Sequence, residues 1–196
     1  MSISIIVEGE IDKLFVRTVF QAAAVKEAEA VAAGGRSSAI SLARSYLSFP
    51  RQWVALLLDA DTSDPVQVRE ERDILNSSLA TFGGDRRYGV FLAVPAIESA
   101  LFNPQVARAA FGRKLGRLAM VRGKFEPQNM LVDLAPKGAR VDYALIIKRL
   151  LSRPRVGQAL AECSPFDELL KFVNDAASLD SVAGDLVAND DSNSSV

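Results

Sequence analysis

Three carboxylates stand where a divalent cation can be held: Glu8, and the pair Asp59 and Asp61 separated by one residue. Glu8 follows the apolar run Ile3-Ser4-Ile5-Ile6-Val7, and Asp59 follows Trp53-Val54-Ala55-Leu56-Leu57-Leu58. Both runs are strand-sized and nearly continuous in apolar character, as strands buried on both faces of a parallel sheet read. In an open α/β sheet, ligands bind beyond the carboxyl ends of the strands, where successive connections leave in opposite directions. If the second strand flanks the first on one side and the third flanks it on the other, Glu8 and Asp59 are neighbours at that point. Carboxylates this close raise one another's pKa and persist ionised at neutral pH chiefly when a cation compensates them. An all-oxygen set without His or Cys favours Mg²⁺, with Mn²⁺ and Ca²⁺ admissible. Just past the strand, the backbone of Asp59-Ala60-Asp61 turns enough for both side chains to reach one ion. Taken singly, each acid has a plainer reading as a helix cap or turn former. The joint pattern is what points to metal.

Composition removes other chemistry. The chain has no His and one cysteine, Cys163, so Ser-His-Asp and Cys-His pairs, His-liganded zinc and an intramolecular disulfide are all excluded. Catalysis must rest on carboxylates, Lys, Arg or a hard metal ion. With 196 residues, 49% hydrophobic and 24% charged, the chain is expected to fold as one domain or as a core with an appendage. No apolar run reaches membrane-spanning length and the N-terminus has no signal-peptide pattern, so a cytoplasmic protein without a membrane partner is expected.

Lys and Arg total 23 against 24 Asp and Glu, which gives no global basic field. The charges are nevertheless segregated. Between Arg108 and Arg155 the basic residues are opposed only by Glu126, Asp133 and Asp142, whereas the chain from Asp175 onward has no Lys or Arg. The basic stretch is either a set of solvated helix faces or a surface for a polyanion. If it lies beside the acidic crevice, Lys137, Arg140 and Arg149 are expected to bind phosphate, because the crevice itself repels a polyanion.

The elements that must position these residues follow from periodicity. A strand at Ile3–Val7 precedes a helix over 11 to about 24, with Leu14, Phe15, Val19 and Phe20 at helical spacing. Glu27 to Ala33 reads as a short strand ended by Gly34-Gly35, and Ser37 or Ser38 opens a helix stopped at Pro50. A third strand at Trp53–Leu58, a helix from Pro65 to about Leu79 and a fourth strand at Tyr88–Val94 complete a βαβαβαβ order. That order predicts a mainly parallel, Rossmann-like α/β sheet in the spatial order 2-1-3-4, with helices on both faces. Beyond Ile97 the pattern is helical, including a helix at Val141 to Leu151. The expected division is a core over 1–102, a helical extension over 103–187 and a disordered tail over 188–196.

Val7-Glu8-Gly9-Glu10-Ile11-Asp12 resembles the TOPRIM signature V-E-G-x-x-D, and Leu58-Asp59-Ala60-Asp61 resembles its D-x-D motif one βαβα unit later. The resemblance covers residues 1 to about 102. It implies a TOPRIM fold in which Glu8 is a general acid/base or metal ligand and Asp59 and Asp61 hold Mg²⁺. Gly9 would let the backbone approach a neighbour or a phosphate, and Asp12 would be either a second-metal ligand or a helix cap. A topoisomerase or primase is disfavoured, since there is no sign of a Tyr-bearing module and no zinc-binding region can be built. The segment Val94-Pro95-Ala96-Ile97-Glu98-Ser99 is similar to that of the overcoming-lysogenisation-defect (OLD)-like TOPRIM nucleases of phage defence. That likeness implies Glu98 as a further metal ligand and a late catalytic lysine, for which Lys137 is the candidate ahead of Lys148. It also implies a separate ATPase subunit, because the chain carries no P-loop. The expected activity is Mg²⁺-dependent cleavage of DNA or RNA by an endonuclease or nickase, with a homodimer as an open possibility. The alternatives are a non-catalytic module that binds DNA or a protein partner, and a phosphohydrolase for a small substrate.

Overall fold

The computed structural model describes residues 2–83, 87–112, 115–135 and 142–191, with side chains described through residue 179. Four parallel strands, β1 (Ser2–Val7), β2 (Ala28–Ala32), β3 (Gln52–Asp59) and β4 (Tyr88–Ala93), form one sheet in the order β2-β1-β3-β4. This is the order expected from the alternating pattern. In register, Val7 pairs with Ala32 on one side and Leu57 on the other, while Asp59 pairs with Ala93. The ends of all four strands therefore face the same way, and Glu8 and Asp59 leave the sheet at one edge.

Strand side chains alternate between two cores. Ile6, Val54, Leu56 and Leu58 face α2 (Arg36–Leu47) and α3 (Pro65–Gly83), packing with Ala39, Ala43, Leu75 and Leu79. Ile3, Ile5, Val7, Ala55 and Leu57 face α1 (Glu10–Ala22) and everything that follows β4. This second face carries a 3-10 helix (Ile97–Phe102), α4 (Pro104–Phe111), α5 (Arg117–Phe125), α6 (Pro127–Leu134), α7 (Tyr143–Leu151), α8 (Val156–Ala161) and α9 (Phe166–Asp191). Phe166 is fully buried and stacks on Phe15 of α1 with centroids 6.2 Å apart. Phe172 meets Trp53 and Phe91 of the sheet edge-on at 5.9 and 5.8 Å. The residues after 102 thus share one apolar core with α1 and the sheet.

Element starts differ from the sequence reading for local reasons. Helix α2 begins at Arg36, ahead of both serines, because Gly35 takes φ +131 and serves as the N-cap without a side chain. Gly34, at φ +83, and Gly35 both donate their N–H groups to the Glu8 carbonyl, at 2.9 and 2.8 Å. Few side chains tolerate these dihedrals. The glycine pair therefore ties the start of α2 to the end of β1. Helix α1 begins at Glu10, and α3 continues to Gly83.

Candidate functional site

Glu8 emerges from β1 half-buried, and its Oε1 accepts the backbone N–H of Asp59 at 3.3 Å. The two chain segments that meet here are adjacent strands of the sheet, so the contact follows directly from the strand order. Asp59 turns toward the α1 face. Its Oδ1 accepts the N–H of Ile97 at 2.8 Å and so satisfies the first turn of the 3-10 helix. Glu98, next in sequence, is only 3% exposed. Its Oε1 accepts the Tyr143 hydroxyl at 2.7 Å, while its Oε2 is buried with no hydrogen-bond partner among the described residues. Asp12, from the first turn of α1, accepts the Gly9 N–H at 2.8 Å. It works as a cap by reaching back from the third helical position.

The electrostatics tie these acids together. Burial first, then the charges of Glu98 and Asp12, push the Asp59 carboxyl from an ordinary 3.8 to about 8. Burial likewise pushes Asp12 to about 6 against the pull of the Gly9 N–H, with Glu98 and Glu8 adding to the rise. Burial and the Glu98 carboxylate hold the Tyr143 hydroxyl protonated far above its ordinary range, which suits its role as donor. Four carboxyl groups from β1, α1, β3 and the 3-10 helix thus repel one another at one edge of the sheet. That group is Glu8, Asp12, Asp59 and Glu98.

Asp61 behaves differently. It sits at φ +54 with its side chain 79% exposed, turned to the α2 side, where its Oδ2 lies 3.9 Å from Arg36 Nη1. Among the described residues no three acids converge closely enough to coordinate one ion as they stand. The expectation that Glu8, Asp59 and Asp61 share one coordination sphere is thus not met in this arrangement. The physical reason is the backbone turn at φ +54, which leaves the Asp61 side chain exposed beside Arg36 while Asp59 points to the α1 face. Arg36 Nη1 reaches Glu8 Oε1 at 3.3 Å and donates to the Asp59 carbonyl at 2.7 Å, and its Nη2 pairs with Glu71 of α3.

Sequence reasoning missed Arg36, Glu71 and Tyr143. The signal for Arg36 was its position directly after Gly34-Gly35, at the helix start that meets the same sheet edge. Nothing in the sequence placed Tyr143 over Glu98, because the packing of α7 is tertiary. Of the expected phosphate-binding residues, Lys137 and Arg140 lie outside the described residues. Lys148 and Arg149 are exposed near the end of α7. Arg122 is engaged by Asp133 at 2.6 Å and Glu126 at 3.3 Å. An apolar hollow of about 370 Å³ between α4 and α5, lined by Arg108, Leu115 and Met120 among others, contains none of the carboxylates. Among the described residues no helix is long and apolar enough to cross a membrane.

No protein-family model matches the chain, and no curated protein matches it. Among solved structures, it is similar to the C-terminal region of the OLD protein of Xanthomonas campestris pv. campestris, at 18% identity and a TM-score of 0.45, covering 91% of this chain and 97% of that one. It is also similar to the C-terminal region of the Burkholderia pseudomallei OLD protein, at 16% identity and a TM-score of 0.43, covering 89% and 97%. Likenesses at this level leave the functional assignment to the chain's own residues.

Proposed function

We propose that the chain is a Mg²⁺-dependent phosphodiester hydrolase acting on nucleic acid. The observation that carries this reading is the electrostatic coupling of Glu8, Asp12, Asp59 and Glu98 at one edge of the sheet, where burial and mutual repulsion raise the pKa values of Asp12 and Asp59. The donor set fits a hard cation: it is all oxygen, two members have strongly raised pKa values, and the buried Oε2 of Glu98 lacks a partner. Glu8, Asp12, Asp59 and Glu98 would hold Mg²⁺ or Mn²⁺, with Asp61 joining from its exposed position. Bound there, such ions polarise a phosphoryl oxygen, lower the pKa of a water and stabilise the leaving oxygen.

The chain's own residues then divide the remaining work. Tyr143 fixes one oxygen of Glu98 and leaves the other, buried Oε2 free to bind a cation. The Ile97 N–H fixes Asp59 Oδ1. Arg36 neutralises part of the acidic edge, and its pairing with Glu71 anchors it there. Glu8 is only half-buried, which suits a base for an incoming water or a ligand exchanged during turnover. The test is incubation of the protein with plasmid, single-stranded DNA and RNA under Mg²⁺ and Mn²⁺, beside Asp59→Asn. Cleavage of at least one substrate, dependent on the metal and abolished in the variant, is expected. Equal cleavage by the variant would reject the assignment.

A further inference from the structure

The acidic edge needs positive charge to receive a polyanion, and several arginines of the chain are already engaged within the fold. Arg36 is committed to Glu8, Asp61 and Glu71. Arg44 donates to Ser78, and Arg87 donates to the carbonyls of Phe49 and Gln52. Arg122, on the opposite face of the sheet, is held by Asp133 and Glu126. Arg69 and Arg72 are not engaged in this way. They stand one helical turn apart on α3, so their side chains share a face. Neither makes an ion pair or side-chain hydrogen bond among the described residues, and Arg72 Nε is buried with no acceptor among them.

These two arginines line a cleft of about 320 Å³ together with Ser63, Pro65, Val68 and Val94. The cleft opens beside the candidate site. Ser63 lies two residues past Asp61 on the loop that leaves β3, and Val94 directly follows Ala93, the register partner of Asp59. The Asp61 N–H donates to the Pro95 carbonyl at 2.9 Å, so the walls of the cleft are fastened to the loop that carries the acids. Of the acids that adjoin the lining residues along the chain, Asp64 accepts the Val66 N–H at 2.8 Å and Glu71 pairs with Arg36, while Glu70 and Asp73 flank the arginines on α3.

We infer that the Arg69–Arg72 cleft binds a backbone phosphate of the nucleic acid adjacent to the phosphodiester held at the carboxylates. An unsatisfied guanidinium N–H in a cleft with a hydroxyl-bearing residue fits a phosphate oxygen, and the arginine fork is suited to it. The inference rests on the phosphodiesterase reading, and it places the phosphate contact on α3 in addition to the basic stretch of the later helices. A phosphate contact of this kind carries no base information, so it sets register and affinity and leaves sequence preference unaffected.

The experiment is fluorescence anisotropy of a labelled oligonucleotide, DNA in one arm and RNA in the other, across a salt series with Ca²⁺ in place of Mg²⁺. Arg69→Gln/Arg72→Gln is compared with wild type and with Arg69→Lys/Arg72→Lys, and divalent-ion binding is followed by calorimetry for all three. The glutamine pair is expected to bind about tenfold more weakly, with a log–log salt slope shallower by about two, while the lysine pair keeps the wild-type slope. Divalent-ion binding should be unchanged in all three. Should the glutamine pair prove unfolded by circular dichroism, a lysine pair with lost affinity but intact fold still supports the guanidinium contact. A lysine pair with wild-type affinity and slope, beside a folded glutamine pair that also matches wild type, overturns the cleft assignment and leaves the hydrolase reading standing. Wild-type protein that binds neither DNA nor RNA overturns both.

Discussion

At the scale of single residues, two carboxyl groups of the candidate site, Asp12 and Asp59, are held in the fold at pKa values above those of the free side chains. Asp59 keeps its proton in the folded state to about pH 8, whereas the unfolded chain releases it near 3.8. Asp12 does the same to about pH 6. Between those limits the folded state binds more protons than the unfolded one, so metal-free stability falls as pH rises from about 4 toward 8. Urea denaturation in EDTA should therefore show a higher midpoint at pH 5 than at pH 8, and Asp59→Asn should flatten the difference. The same protons must leave when a cation binds. Mg²⁺ affinity should increase with pH across this range, and calorimetry in buffers of different ionisation enthalpy should register proton release that shrinks in Asp59→Asn. Tyr143→Phe tests the other residue-scale feature. It strips the partner from a carboxylate that is 3% exposed, at a cost of about 1–3 kcal/mol. In a double-mutant cycle with Glu98→Gln, the two losses should be strongly non-additive.

At the scale of elements, the carboxyl ends of β1 and β3 and the start of α2 form one unit, held by the Gly34 and Gly35 N–H groups on the Glu8 carbonyl. Gly35→Ala meets no steric obstacle, since no atom lies within 4 Å of an added Cβ. The cost is purely conformational, about 1–3 kcal/mol for a dihedral region that glycine almost alone occupies. Denaturation should show that loss, with Arg36 displaced from Glu8 as its structural consequence. Much at this scale was legible in the sequence. The strands read as continuous apolar runs because both faces are buried, and their alternation with helices fixed the order 2-1-3-4 through the handedness of crossovers. Glu8, Asp59 and Glu98 could be assigned to one edge for the same reason. Which of them would share a neighbourhood was not legible. Asp61 is one residue past Asp59's neighbour, yet the turn at φ +54 sends it to the opposite side of the sheet edge. The Tyr143 contact and the engagement of Arg36 depend on packing distances that neither periodicity nor motif spacing encodes.

At the scale of the whole molecule, the helices after residue 102 complete the core on one face of the sheet. Phe166→Ala removes a fully buried ring stacked on Phe15 and should cost about 3–5 kcal/mol. Because Trp53 is the only tryptophan and packs edge-on to Phe172 of α9, its fluorescence reports directly on docking of the last helix against the sheet. Unfolding followed by Trp53 fluorescence and by far-ultraviolet circular dichroism should give one coincident transition in the wild type. Separate midpoints would show that the helical part melts independently of the sheet.

The hydrogen bond from Tyr143 to Glu98 spans 45 positions of the chain. During synthesis, a ribosome releases the four strands and every acid of the cluster before it releases α7. The nascent sheet can therefore close with Glu98 already inside and its hydroxyl partner still in the exit tunnel or untranslated. Over that interval the acidic edge lacks its last fastening, and only the arrival of α7 and the helices behind it sets the final geometry. The candidate site would thus reach its final geometry only after the segment bearing α7 has emerged, well after the strands and acids that precede it.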